Sequence, residues 1–445
     1  MSRAHDAAPH ARSGFAVSNG ARAFRHRTYR LFFGGQLVSL VGTWMQNVAQ
    51  GWLVLQLTND PFMLGLVSAL QFLPVLVFGL FGGLVADAMP KRKTLISTQT
   101  VQMLLAFTLF GLVATHTVQV WHILILATLL GASNAVDMPT RQSFVVEMVG
   151  REDIANAVAL NSAMFNMARI VGPAIAGLTI GAFDTAVAFL INGLSFAAVI
   201  VAYALMRDDE LHSPPKLVRP ATVSAVRETL AEGVRYVWHT PIVLLATVVI
   251  GLVSTFGMNF GVIVPALARD VLHTDATGYG FLMAATGVGS LCAALLIAFS
   301  GRSRTWVIAG GATLLGIALV LAATIHIYWF ALPVMVLIGF GAIGMAATAN
   351  TTIQLAVPDL LRGRVIAVYT TVFVGSTPFG GLLMGGIASR FGVDVSLVVG
   401  GVACVVVGLG AWFWLRRIQG RAARSGSAGG PDLHEVPVPV PGARS

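Results

Sequence analysis

Residues 62–93 read FMLGLVSALQFLPVLVFGLFGGLVADAMPKRK. The stretch 62–85 carries no charge over 24 residues. As an α-helix at about 1.5 Å per residue it outreaches a hydrocarbon core of roughly 30 Å. It ends in Asp87, Pro90, Lys91, Arg92 and Lys93, a turn that belongs in water. Another run, 94–115, follows at once. The pattern is a bilayer-spanning helix, a tight charged turn and a second span. A transmembrane strand would be about ten residues long and would alternate apolar and polar side chains, which this stretch does not do.

Working outward, the same pattern recurs. Twelve runs qualify as spans: 31–57, 62–85, 94–115, 121–145, 155–181, 184–206, 242–267, 277–299, 305–325, 328–352, 364–388 and 393–415. Composition agrees, since 56% of the 445 residues are hydrophobic and 11% are charged, against about 25% charged in soluble domains. The expected fold is an all-α membrane protein of two six-helix halves, 29–206 and 242–415. Between them, 207–241 is expected to be a cytoplasmic linker. In it Val223, Val226, Leu230, Val234 and Val237 recur at helical spacing, the mark of an amphipathic helix at the membrane surface or of a plain tether. The flanks, a basic 1–28 and a Ser/Gly/Pro-rich 416–445, read as disordered tails.

The net charge is +9, yet the bases lie in short gaps between spans rather than on a basic face, which argues against a nucleic-acid partner. With both termini in the cytoplasm, 25 of the 28 bases fall on the cytoplasmic side, the orientation that positive charge selects. No cleavable signal peptide precedes the first span. Cys292 and Cys404 lie inside apolar runs and read as packing residues. No Gly-Lys-Ser/Thr phosphate loop and no His/Glu cluster is present, so no cofactor, metal or enzymatic activity is expected. Gly339-x-Gly341-x-x-Gly344 lies within an apolar span and is no dinucleotide site. Both halves carry a basic turn between their second and third spans, 91–93 and 302–304. Such a repeat places a binding site between the halves near the midplane.

The sequence from Gly83 through Asp87 to Lys91 and Arg92 resembles the loop signature between the second and third helices of the major facilitator superfamily, with Ala88 and Pro90 in place of the usual Arg and Gly. The resemblance implies that Asp87 and the bases form a cytoplasmic latch between the halves in the outward-open state. In the fifth span, Ala168 to Gly177, with Gly172-Pro173, is similar to the antiport signature of the superfamily's exporters. The alternative is a packing kink. Asp137-Met-Pro-Thr-Arg141-Gln, with Leu160-Asn-Ser, resembles the branch that includes the bacterial enterobactin exporter. One departure stands out: aligned on Gly131, Ala127 occupies the position where many proton antiporters keep an Arg.

Arg169 sits near mid-span, where a charge is costly and by default functional. Asn134, Asp137 and Arg141 share one face of the fourth span. Asp137 can pair with Arg141, or with Arg92 or Lys91 across the loop. Asp137, Arg141 and Arg169 are the proton-coupling candidates. In the first span Gln36, Ser39, Thr43, Asn47 and Gln50 form a polar stripe beside Trp44. With Asn166, Asn259 and Asn350 it supplies the candidate cavity wall, the alternative being helix–helix hydrogen bonds.

These readings converge on a monomeric, multi-pass transporter of the bacterial inner membrane, working by alternating access and moving a small amphipathic solute, a siderophore or drug, outward against protons. The alternatives are an uptake symporter and a transport-inactive sensor or scaffold.

Overall fold

The computed structural model describes residues 21–212, 223–300 and 304–426. The side chains of 80–88, Gly83 and Asp87 among them, lie outside the described residues.

The first half is α1 (Arg27–Thr58), α2 (Pro61–Ala88), α3 (Lys91–Ala114), α4 (Val120–Val149), α5 (Ile154–Ala182) and α6 (Thr185–Ala204). After α7 (Val223–His239) the second half contains α8 (Pro241–Phe256), the short α9 (Phe260–Ala266), α10 (Ala276–Ser300), α11 (Trp306–Thr324), α12 (Tyr328–Ala356), α13 (Asp359–Phe391) and α14 (Val393–Gly426). Eleven segments of the described residues are long and apolar enough to cross a bilayer, with α8 and α9 sharing one of them. The polar stripe dilutes α1 below that measure, yet its 32 helical residues make a twelfth long segment. The chain is an all-α, multi-pass membrane protein.

Tight turns reverse the chain where a residue accepts the left-handed conformation: Asn59 (φ 53°) after α1 and Gly392 (φ 95°) after α13. Asp184 caps α6 by accepting from the Thr185 amide. The seventh span is not the single helix expected over 242–267. It breaks at Gly257–Asn259, continues as α9 with Pro265 inside it, and ends in a π turn at Leu267–Val271. Asn259 Nδ2 donates to the Thr255 carbonyl at 2.7 Å, serving an acceptor that the break leaves open.

Three boundaries differ from expectation. Residues 21–28 are ordered: Ala23 is fully buried and its amide donates to Asn156 Oδ1 at 2.9 Å, because a 3-10 turn tucks the chain under α5 before α1 starts. The helix of α14 runs ten residues past Arg416, to Gly426, with no Pro to interrupt it. The expected linker helix forms as α7, docked on the second half rather than lying on the membrane surface. The start of the linker is tied to the first half by Arg27–Glu210 (3.1 Å) and Arg92–Asp208 (2.9 Å). The described part of α7 is clamped to the second half: Glu232 pairs with Arg364, Tyr236 Oη donates to the Ala356 carbonyl, and Gly233 lies against the Arg364 backbone. The rest of 1–20, 213–222 and 427–445 lies outside the described residues.

The halves meet along two helix pairs, α2 with α13 and α5 with α10. The contact is closest at the end of the bundle away from the chain termini. A Cβ on Gly65 would lie 2.2 Å from the Gly381 carbonyl oxygen, and one on Gly280 would lie 2.5 Å from that of Pro173. Nearer the terminal end, Gly375 meets only the Leu76 side chain, at 3.1 Å. Backbone touches backbone at the far end; α2 and α13 then part to side-chain distance, while α5 and α10 stay close as far as Gly287, where a Cβ would lie 3.0 Å from the Arg169 carbonyl oxygen. Two hydrogen bonds reinforce this closure: Arg269 Nη1 to the Leu55 carbonyl at 2.5 Å, and Thr277 Oγ1 to the Gly177 carbonyl at 3.2 Å.

Candidate functional site

Between the halves, beneath the far-end closure, lies a cavity of about 440 Å³. That volume suits a solute of drug size. It draws on α1, α2 and α5 from the first half and on α8, α9, α10, α12 and α13 from the second. Its wall is aromatic and amide-rich. Trp44, Phe72, Phe165, Phe260, Tyr279 and Phe373 supply rings, and Asn47, Gln50, Gln71 and Asn259 supply amides.

Local sequence positions the centre of this wall. Gly172 has no side chain, and a Cβ there would lie 2.5 Å from Trp44 Cβ. α1 and α5 therefore approach closely, and Trp44 lies across α5. One turn before Gly172, the Arg169 guanidinium carbon sits 5.8 Å from the Trp44 ring centroid, a cation–π contact. Phe165, one turn earlier again, meets the same indole edge-on at 5.8 Å. Trp52 of α1 stacks on Tyr279 of α10 with centroids 6.1 Å apart, closing the cavity towards the far end.

Of the expected wall residues, Asn47, Gln50 and Asn259 line the cavity, and so does Arg169, expected as a coupling group. Gln36 and Thr43 do not: Gln36 is buried within the first half and Thr43 Oγ1 donates to the Ser39 carbonyl. Asn166 donates to the Ser162 carbonyl, and Asn350 accepts from Gln354 one turn on. None of these four is among the lining residues. Sequence reasoning missed Gln71 and the rings from α2, α10 and α13. Gln71 left a signal, an amide within an otherwise apolar run; the rings left none, being surrounded by apolar neighbours.

A second polar centre lies inside the first half. Asp137, 1% exposed, accepts from Thr98 Oγ1 at 2.8 Å and Gln99 Nε2 at 2.9 Å, and pairs with Arg141 Nη2 at 3.4 Å. The Arg141 pairing is one of the expected alternatives; the pairings with Lys91 and Arg92 are not formed. Lys91 instead pairs with Glu147 at 2.6 Å. Arg92 donates to the Tyr203 and Ala204 carbonyls at the end of α6, and to Asp208. A cation beside the carbonyl end of a helix is well placed for its dipole. These bonds join α3 to α4 and α6; they do not bridge the halves in this conformation.

Of the signature residues in α5, Gly172 packs on α1 within the first half, while Pro173 and Gly177 lie at the seam between the halves. Gly172 faces Trp44 and Val41, while a Cβ on Gly177 would lie 2.9 Å from the Thr277 carbonyl. Pro173 is buried within α5, its carbonyl against Gly280.

The fold and the sequence both have relatives. A bacterial homologue of the human lysosomal transporter Spinster, solved in an inward-facing, unoccupied conformation, superposes with a TM-score of 0.70 over 91% of this chain and 98% of its own, at 12% identity. The staphyloferrin A transporter of Staphylococcus aureus is 24% identical over 88% of this chain and 97% of its own length. The multidrug efflux pump Tap of Mycolicibacterium fortuitum is 28% identical over 85% and 93%. The profile of the transmembrane secretion effector family matches residues 18–433. The chain belongs to that family, within the major facilitator superfamily, and is a multi-pass membrane transporter rather than an enzyme.

Proposed function

We propose that the protein is a secondary active exporter of a small amphipathic solute, a siderophore or drug, driven by protons through alternating access in the bacterial inner membrane. The observation that carries this reading is the cavity between the two halves, sealed at one end by glycine-on-backbone contacts. With the termini cytoplasmic, as the placement of 25 of the 28 bases favours, the sealed end is external and the cavity faces inward, ready to load from the cytoplasm. The Gly172-Pro173 signature and the efflux relatives favour outward movement; the siderophore-transporter relative names one class of cargo.

Asp137 is the coupling group in this reading. It is a buried carboxylate held by one cation and two neutral donors. Protonation would weaken its hold on Arg141 and shift α3 against α4, beside the Lys91 and Arg92 bonds. Asp87 completes the latch when the cytoplasmic end closes. Ala127, in place of the usual Arg, leaves Asp137, Arg141 and Arg169 as the groups to carry coupling. Uptake symport is the rival reading. Inside-out vesicles decide between them: solute accumulation that rises with an imposed proton gradient, accompanied by proton release, is expected. Accumulation indifferent to the gradient removes the coupling, and accumulation only in right-side-out vesicles favours the symporter.

A further inference from the structure

Arg169 is the only formally charged residue among the described residues lining the cavity. Among the described residues its guanidinium has no carboxylate partner and no hydrogen-bond acceptor; its contact is the Trp44 face. A guanidinium this deep in a membrane protein is costly unless something compensates it. The guanidinium carbon lies over the indole, 5.8 Å from its centroid, and its N–H donors form a fork that matches a carboxylate or phosphate. The other polar groups lining the cavity are neutral amides and hydroxyls, among them Asn47, Gln50, Gln71, Asn259 and Ser254. A cationic solute would meet like charge in a low-dielectric site with no counter-ion to offset it.

We infer that the cavity is an anion receptor, and that the transported solute is an amphipathic anion whose carboxylate or other planar oxyanion docks on the rim of Arg169 while a flat or apolar body lies against Trp44, Phe165 and Tyr279. The inference rests on the reading of this cavity as the solute site, and names the charge of the solute. It assigns a specificity role to Arg169 and Trp44 together: the indole holds the guanidinium with its donors turned to the cavity, and Gly172 makes room for the indole.

The test is equilibrium binding to the detergent-purified full-length protein, followed by calorimetry with three probes of one shape: 2-naphthoate, its neutral amide, and 2-naphthylmethylammonium. Wild type should bind the carboxylate about tenfold more tightly than the amide, the scale of one charge-assisted hydrogen-bonded pair, with the ammonium weakest. Arg169→Gln should bring carboxylate and amide level. Arg169→Lys, which keeps the charge but not the fork, should keep part of the preference. Equal or tighter binding of the amide or ammonium by wild type, no carboxylate binding up to millimolar concentration, or an undiminished preference in Arg169→Gln would overturn the inference. The three-probe comparison in wild type stands even where a variant fails to fold. Binding in detergent needs no gradient, so failure of vesicle export removes the exporter and leaves the anion site. Export of a cation without carboxylate preference does the reverse.

Discussion

At Asp137 the proposed coupling can be weighed against stability. Its carboxylate satisfies Thr98, Gln99 and Arg141 at once, so changing it to Ala leaves a cation and two donors without their acceptor. The cost expected is about 3 kcal/mol. Asp137→Asn keeps an acceptor oxygen and should cost less, while abolishing proton-dependent accumulation in vesicles. Thermal unfolding of the purified variants checks the first expectation and pH-gradient-driven uptake the second. An Asn variant that couples normally would remove Asp137 from the mechanism. Only part of this centre is legible in sequence. The i,i+4 spacing of Asp137 and Arg141 gives their pairing on α4. The donors Thr98 and Gln99 come from α3, and which face of α3 turns to α4 depends on packing that no local pattern encodes.

The helices divide in the same way between what periodicity reveals and what crossing angles decide. Spans were legible because twenty apolar residues in a row have one use. The stripe on α1 was legible as a stripe, but its residues meet different neighbours at different depths. Asn47 and Gln50 turn to the cavity, whereas Gln36 is buried within the first half and Thr43 donates to the Ser39 carbonyl. The break in the seventh span was missed because Gly257 and Asn259 are tolerated in intact spans too. The seam between α2 and α13 makes a sharper prediction. A side chain at Gly65 collides with backbone that cannot rotate away, but only when the far end is closed. Gly65→Val should therefore raise the closed state by about 2 kcal/mol and shift the two states roughly thirtyfold toward far-end opening. Single cysteines at Ser68 and Thr377, which line the cavity beneath the seal, in a background lacking Cys292 and Cys404, should become more reactive to impermeant thiol reagents added on the far side. Arg269→Ala, which removes the bond to the Leu55 carbonyl, should move the same reporters in the same direction by a smaller amount. Unchanged reactivity in both variants would show that this seam does not govern access.

At the scale of the whole molecule, the twofold six-helix plan was readable from the count of spans and the repeated basic turns. The conformation was not readable, since no residue pattern marks which end of the bundle is closed. The central connection also looks different as a whole. The Glu232–Arg364 pair is partly exposed, with side chains 52% and 37% accessible, and reversing either charge should cost under about 1 kcal/mol. Exchanging both charges should restore thermal stability. What holds α7 in place is more than this pair, because Gly233 and Tyr236 dock on α13 and α12 as well. The piece ending at His212, whose amide donates to the Glu147 carbonyl at 2.7 Å, is equally bound to the first half. Each described bank of the connection, up to 212 and from 223 on, is anchored to its own half. A gene cut between the two should therefore yield two polypeptides that, made together in one cell, assemble into a working transporter, recoverable as a pair through an affinity tag on either one.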